Sequence, residues 1–393
     1  MDIAVKQMEQ TDVIVVGGGV SGVAAAVASA RQGAKTLLIE KTVCLGGLAT
    51  IGLINWYEPL CDGEGEQLIT GISEELIRLS VKYSYENLPA KWGGEGKNPI
   101  RYDRFATSFS PTIFALALIE YLEENNVKLR LDTLATYPEM EGSLCKGLLV
   151  ETVSGREFFP AKMIIDATGD ATVCHRAGIP TELGENYFSY VTHELSAGLS
   201  KKLFETEDFY NLRHWRNVGS SLGGKGHPEG MGMIKVTSAD VITDYMTLGA
   251  KRVLAHHKQM DKNKKDILTL PTMPQFRKIR RIIGDGTFMG TEDGVILEDS
   301  VGRFGDFRKS GKRFCLAYNT LYNSCVDNVF GAGRIISAKD EGWEITRVIP
   351  VAALTGQVAG TAAALCINNG CSAAKLEVKE LQKVLEANGV KIK

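Results

Sequence analysis

The sequence predicts an α/β fold: a parallel sheet covered by helices, a small β-meander, and an inserted α+β unit. Three features carry this reading. Residues 12–40 run strand, glycine turn, helix, strand; strand-like segments between 127 and 166 lead to a second glycine turn; and residues 328–366 give another strand, glycine turn and small-residue helix. A chain that opens and closes with the same kind of unit carries the stretch between them as an insertion. The expected organisation is a discontinuous domain over 1–182 and 322–393, with an inserted domain over 183–321.

Val13 to Val16 read as a buried parallel strand, being a continuous β-branched run. Gly17 allows a tight turn, Gly19 lets backbone approach a pyrophosphate, and Gly22 lets a helix over 21–33 pack closely on the strand. That helix N-terminus presents unpaired N–H groups and partial positive charge to phosphates. Glu40 ends the second strand, 18 residues after Gly22, where its carboxylate accepts two hydrogen bonds from a ribose and favours a free 2′-hydroxyl. The unit therefore reads as nucleotide-binding, with Gly17, Gly19, Val20, Ser21, Gly22, Glu40 and Lys41 as candidate contacts.

Cys44-Leu-Gly-Gly-Leu-Ala-Thr-Ile-Gly52 follows, too glycine-rich for regular structure, and is expected to wrap the same ligand through Gly46, Gly47, Leu48, Ala49 and Thr50. Apolar residues at helical spacing predict an amphipathic helix over 67–83. Residues 83–104, with Trp92-Gly-Gly94 and two prolines, read as an irregular excursion. Ser110-Pro111 supplies an N-cap and first turn for a helix over 111–125. Strand patterns at 127–131, 147–152, 156–160 and 163–166 predict the meander and its return to the parallel sheet.

Residues 183–321 have a different texture: a glycine-rich piece over 223–232, a helix near 238–260 and a basic run at 277–281. The chain then returns to Asn328-Val-Phe-Gly-Ala-Gly-Arg334 and Arg347-Val-Ile-Pro350. A small-residue helix over 351–366 follows, whose Gly356, Ala359, Gly360 and Ala363 allow close packing on a neighbour.

Composition narrows the function classes. A net charge of −2, from 45 basic and 47 acidic residues, gives no field for nucleic acid or an anionic membrane. No run reaches the ~18 uninterrupted apolar residues of a membrane helix, and residues 1–11 lack the apolar core of a signal peptide, so a cytoplasmic location is expected. Eight cysteines contain no C-x-x-C pair, so reduced structural thiols are expected, with Cys44 beside the glycine loop set apart. No metal site is indicated.

Gly46-Gly-Leu-Ala-Thr50, Asp166-Ala-Thr-Gly-Asp-Ala171, Phe330-Gly-Ala-Gly-Arg334, Arg347-Val-Ile-Pro350 and Phe276-Arg-Lys-Ile-Arg-Arg-Ile-Ile-Gly284 together resemble the FAD-dependent oxidoreductases of the glutathione-reductase-like flavoprotein class. The branch resembled has a G-G-x-A-T loop and an A-G-R…R-x-x-P ending, and is distant kin of the fumarate reductase flavoproteins. The resemblance implies a Rossmann-like FAD-binding domain with an inserted α+β substrate domain. It adds Ala167, Thr168, Gly169, Asp170, Gly333, Arg334, Val348, Pro350 and Val351 as cofactor contacts. The helix at Pro350 would aim its N-terminus at the flavin pyrimidine edge. Where fumarate reductase relatives carry a flavin-attaching histidine, this chain has Leu48-Ala-Thr50, which implies non-covalent FAD. The histidine of many relatives before R-x-x-P is replaced within Ser337-Ala-Lys-Asp340-Glu-Gly-Trp-Glu344, and Ala317-Tyr-Asn-Thr-Leu321 lacks the arginine of a related segment.

No second complete G-x-G-x-x-G unit is visible, so no built-in nicotinamide domain is expected. The expected chemistry is hydride transfer between flavin N5 and a small organic substrate, with an electron partner left open. The alternatives are a flavoprotein whose FAD is structural or assists a non-redox reaction, and an NAD-dependent dehydrogenase using the first motif alone. Arg347 is the first candidate for the catalytic site, holding a substrate oxygen or carboxylate bidentately, with a structural ion pair as its alternative. His193 and His214 are acid/base candidates, and Trp56, Tyr57 and Arg277 are candidate substrate contacts, each with a structural alternative.

Overall fold

The computed structural model describes residues 4–95 and 104–393. Five parallel strands form its central sheet in the order Lys128–Arg130, Thr36–Ile39, Thr11–Val16, Gly155–Asp166 and Val329–Gly331. Val13 and Val15 face one apolar cluster while Ile14 and Val16 face another, so the first strand is buried on both sides, as its unbroken apolar run requires.

Two of the strand expectations need correction. Residues 156–160 and 163–166 belong to one strand, Gly155–Asp166, which changes partners along its length. Its first half pairs antiparallel with Leu144–Thr152, and its second half pairs parallel with Thr11–Val16. Pro160, which lacks an N–H, falls where one partner gives way to the other. The segment at 127–131 is an edge of the parallel sheet, and the meander's outer strand is instead Leu134–Glu141.

The helix Val20–Arg31 lies against Ile349–Asn369, and both are almost wholly buried. A Cβ on Gly356 would stand 2.1 Å from Ser21 O, and one on Gly360 would stand 2.2 Å from Ala25 O. Ser29 Oγ donates to Gly360 O at 3.1 Å across the same seam. Ile349–Asn369 has the length and hydropathy of a membrane span, but 89% of its most apolar window is buried inside the protein. A helix enclosed on all sides is apolar all round. The amphipathic helix begins at Ile72 rather than 67, because Gly71 takes a positive φ and Gln357 Oε1 accepts from Ile72 N at 2.9 Å. Part of the irregular excursion, residues 96–103, lies outside the described residues.

A separate apolar cluster contains Phe188, Tyr190, Tyr245, Val253 and Phe276. It lies with the helix Ala239–Lys258 and an antiparallel sheet of His214–Asn217, Val191–Ser196 and Lys265–Thr269. Phe288, Val301, Phe304 and Phe314 share the cluster of the parallel-sheet unit.

Candidate functional site

The glycines of the first turn have distinct physical jobs. Gly17 has φ +103°, and a Cβ there would meet Ala167 O at 2.6 Å. A Cβ on Gly22 would stand 1.8 Å from Gly17 O, so only glycine permits the helix to sit this close. Gly19 N-caps Val20–Arg31, and a Cβ there would meet nothing within 4 Å. The space before it belongs to the cleft.

The second glycine loop packs on the first. Gly46 N donates to Gly18 O at 2.7 Å, and Gly47 is close enough to Gly19 that a Cβ would stand 3.3 Å from its Cα. The Thr50 hydroxyl donates to Leu45 O and fixes this loop from behind. Glu40 accepts from Gly18 N at 2.6 Å and from Thr42 N and Oγ1 at 2.8 Å each. Its carboxylate is thus held in place on the cleft, with one lone pair of Oε2 to spare.

Asp166 fixes the third turn. Fully buried, it accepts from Thr168 N at 3.0 Å, Thr168 Oγ1 at 2.6 Å and Cys174 N at 2.8 Å. Burial pushes its carboxyl above the ordinary range even against these bonds. Asp170 accepts from Thr172 Oγ1 at 2.6 Å. The Arg334 guanidinium lies over Gly169, where a Cβ would come within 2.4 Å of Cζ.

One cleft runs past all three turns. Of the expected cofactor residues it is lined by Gly17, Gly19, Val20, Ser21, Glu40 and Lys41, by Gly46 to Ala49, by Ala167 to Asp170, and by Gly333 and Arg334. Gly22, Thr50, Val348, Pro350 and Val351 stand behind it, and the helix start reaches the cleft through Ile349 and Ala352. Thr42 and Thr133 to Ala135 also line it, as do Ile242, Thr272, Met273, Pro274 and Ile279. No motif marks these, because only the fold brings them there.

Two buried polar atoms beside the glycine turns, Ser21 Oγ and Arg334 Nε, have no hydrogen-bond partner. Unsatisfied buried donors are costly, and both residues line the cleft. Together with the open space at Gly19, they fit a bound dinucleotide with a pyrophosphate at the helix N-terminus.

Arg347 lines the cleft, whereas Glu344, Lys278, Arg277 and Glu58 do not. Arg347 donates Nε and Nη2 to Glu344 Oε2 at 2.8 and 2.6 Å, and Lys278 Nζ holds Glu344 Oε1 at 2.6 Å. Burial alone would raise the Glu344 carboxyl, but Arg347 and Lys278 outweigh it and bring it down to about 2. The structural ion pair weighed for Arg347 is therefore present. It occupies the Nε–Nη2 edge and leaves the Nη1 hydrogens and the second Nη2 hydrogen. Arg277 Nη1 donates to Gln275 O at 3.2 Å. Glu58, which no sequence pattern singles out, accepts from Ile349 N at 3.2 Å.

The remaining candidates lie elsewhere. Tyr57 is a core residue with no exposure, its hydroxyl donating to Ser73 O at 2.8 Å and its ring edge-on to Phe109. Trp56 is half-buried beside it in a two-residue strand. His193 is buried in Val191–Ser196, and burial together with Arg213 pushes its imidazole down to about 4. His214 is exposed at the end of its strand. Neither histidine lines the cleft. All eight cysteines are unpaired, and burial raises the Cys44 thiol, which disfavours its thiolate. Among the described residues no group of three His, Cys, Asp or Glu side chains is arranged to hold a metal ion.

A glycine turn at a helix start, an acid closing the second strand, a β-meander entering a parallel sheet and two further strand-end glycine turns on one cleft define a dinucleotide-binding enzyme of the flavoprotein type. The chain belongs to the FAD dependent oxidoreductase family, which matches residues 12–235 and 264–385. It is an FAD-dependent oxidoreductase with FAD as its cofactor. No curated protein matches the chain in sequence. The fold is similar to that of p-nitrophenol 4-monooxygenase from Pseudomonas putida DLL-E4, at 12% identity and a TM-score of 0.51 over 98% of this chain and 89% of that one. A geranylgeranyl bacteriochlorophyll reductase-like protein from Thermoplasma acidophilum gives 13% identity and a TM-score of 0.47 over 99% and 93% of the two chains.

Proposed function

We propose that this enzyme transfers a hydride between flavin N5 and a small organic molecule held where the insertion meets the glycine loops. One observation carries the reading: the cleft lined by Glu40, Ser21 and Arg334 is also lined by Ile349 and by Thr272, Met273, Pro274 and Ile242. A cavity that extends beyond the dinucleotide loops to an apolar wall leaves room for a second molecule.

When bound, FAD supplies hydride acceptance or donation at N5. Glu40, Ser21 and the Gly17–Gly19 turn hold the dinucleotide. The loop at Leu48-Ala-Thr50 offers no histidine for covalent attachment, so the hold is by contacts alone. Met273, Pro274 and Ile242 keep water from the reacting end, which strengthens every charge there. Arg347, immobilised by Glu344, is a positioned cation. Eight unpaired cysteines suit a reducing compartment, the cytoplasm.

The test is anaerobic addition of candidate alcohols, amines and hydroxy acids while the flavin absorbance is followed, with the photoreduced enzyme offered ketones and enoates in parallel. Bleaching or recovery with one substrate class supports the proposal. If photoreduction works but no class changes the flavin in either direction, the non-redox alternative takes its place.

A further inference from the structure

Residues 47–54 form a compact turn that lines the cleft through Gly47, Leu48, Ala49 and Ile51. The turn is knit internally: Gly52 N donates to Gly47 O at 3.1 Å, and Ile54 N donates to Leu48 O at 2.9 Å. Leu53, almost wholly buried, has φ +57°. A branched apolar residue keeps this left-handed backbone only where its surroundings hold it there.

Those surroundings come from far along the chain. Ile51 O accepts from Thr272 N at 3.0 Å, Gly52 O from Gln275 Nε2 at 2.6 Å, and Leu53 O from Trp215 Nε1 at 3.3 Å. Three consecutive carbonyls of the turn are thus held by the antiparallel sheet of His214–Asn217, Val191–Ser196 and Lys265–Thr269 and the segment that leaves it. Trp215 lies in the first of these strands, and Thr272 and Gln275 follow the last. Gln275 is 2% exposed and reaches the middle strand too: its Oε1 accepts from Val191 N at 2.7 Å, and Nε2 also donates to Val191 O at 3.3 Å. A buried amide whose two ends are bonded to the backbone of two separate elements fixes one against the other. The same segment lines the cleft through Thr272, Met273 and Pro274.

We propose that Gln275, assisted by Trp215, is a positioning residue for the cofactor: it holds the turn over residues 47–54 in the shape that lines the FAD cleft, so that FAD leaves only when this seam opens. Neither side chain lines the cleft, and both act through the turn. Loss of either donor leaves a buried carbonyl without its partner and lets Leu53 relax from its left-handed backbone. Leu48, Ala49 and Ile51 then shift away from the cofactor with it. The inference concerns FAD itself and holds whichever substrate the enzyme takes.

The experiment measures the rate at which the FAD-loaded enzyme loses FAD on dilution, read by flavin fluorescence well below the melting temperature. Trp215→Phe keeps the half-exposed ring and removes only the N–H, so the apoprotein should melt as the wild type does while FAD leaves about fivefold faster. Gln275→Glu keeps the acceptor for Val191 N but turns the donor facing Gly52 O into a second acceptor, and FAD should leave about tenfold faster or more. Val253→Ala is the control for general loosening. It trims a buried side chain of the helix Ala239–Lys258, in the apolar cluster that lies with this sheet, so it should lower the melting temperature and leave the FAD rate unchanged. If Gln275→Glu does not fold, Trp215→Phe and Val253→Ala decide the matter. A wild-type FAD rate in Trp215→Phe, or in a folded Gln275→Glu, would overturn the inference, and so would an equal acceleration in Val253→Ala.

Discussion

Gly19 and Gly22 sit three residues apart in one motif and should fail differently when changed to alanine. A methyl on Gly22 would be driven into Gly17 O at 1.8 Å, so Gly22→Ala should cost about 3 kcal/mol of stability or more and lower flavin content with it. A methyl on Gly19 meets no protein atom, so Gly19→Ala should leave apoprotein stability unchanged and weaken FAD about tenfold or more. Denaturant titration of the apoprotein and FAD titration of both variants check the contrast. Glu58 and His193 predict opposite pH effects on stability. The ordinary Glu58 value is 4.5 and the folded value about 7, so between these the folded protein keeps a proton that the unfolded chain has released. Stability should therefore fall as pH rises through that window, and Glu58→Gln should remove the fall. His193 is lowered from 6.5 to about 4, so acidification through that window should destabilise the protein, and His193→Gln should flatten that acid limb. Melting temperatures across pH for the three proteins measure both effects. The glycines were legible in the sequence because their constraint is local: turn, approach and packing fall within a few residues. Glu58 was not, since its raised carboxyl comes from burial, which outweighs the opposing pull of arginines far away in the chain. The Arg347 partner, Glu344, was near in sequence, but its second cation, Lys278, was not.

At the level of elements, the seam between Val20–Arg31 and Ile349–Asn369 joins the first and last motifs. Gly360→Ala would force a methyl to 2.2 Å from Ala25 O, and the helices would have to separate by a few tenths of an ångström or more. We expect a loss of about 1–3 kcal/mol in chemical denaturation, together with weaker FAD binding because Ile349 and Ala352 would move with their helix. The spacing of small residues in this helix made its close packing readable from the sequence. The meander was harder to read. Leu134–Glu141 is half exposed and contains Pro138, so it lacks the apolar alternation that marks a strand. Gly155–Asp166 looked like two strands because Pro160 interrupts it, and only the change of partner explains how one strand accommodates the proline. The helix start at Ile72 was set by Gln357, a contact across the molecule that periodicity cannot reveal.

For the molecule as a whole, three sequence-distant turns converge on one cleft, and Ile242 and residues 272–274 also line it. The turns were readable as motifs, whereas the wall of Ile242, Thr272, Met273 and Pro274 has no pattern of its own. Its apolar character suits a small organic ligand, and substitution of Met273 by a charged residue should leave FAD bound while slowing its reduction by substrate. The most direct test of the central claim is the visible spectrum of the purified protein, read before and after denaturation and filtration. The structure predicts a yellow protein whose FAD passes into the filtrate and whose apoprotein regains colour when FAD is returned. A colourless protein that FAD does not reconstitute would contradict the account, and a flavin retained with the denatured chain would contradict non-covalent binding.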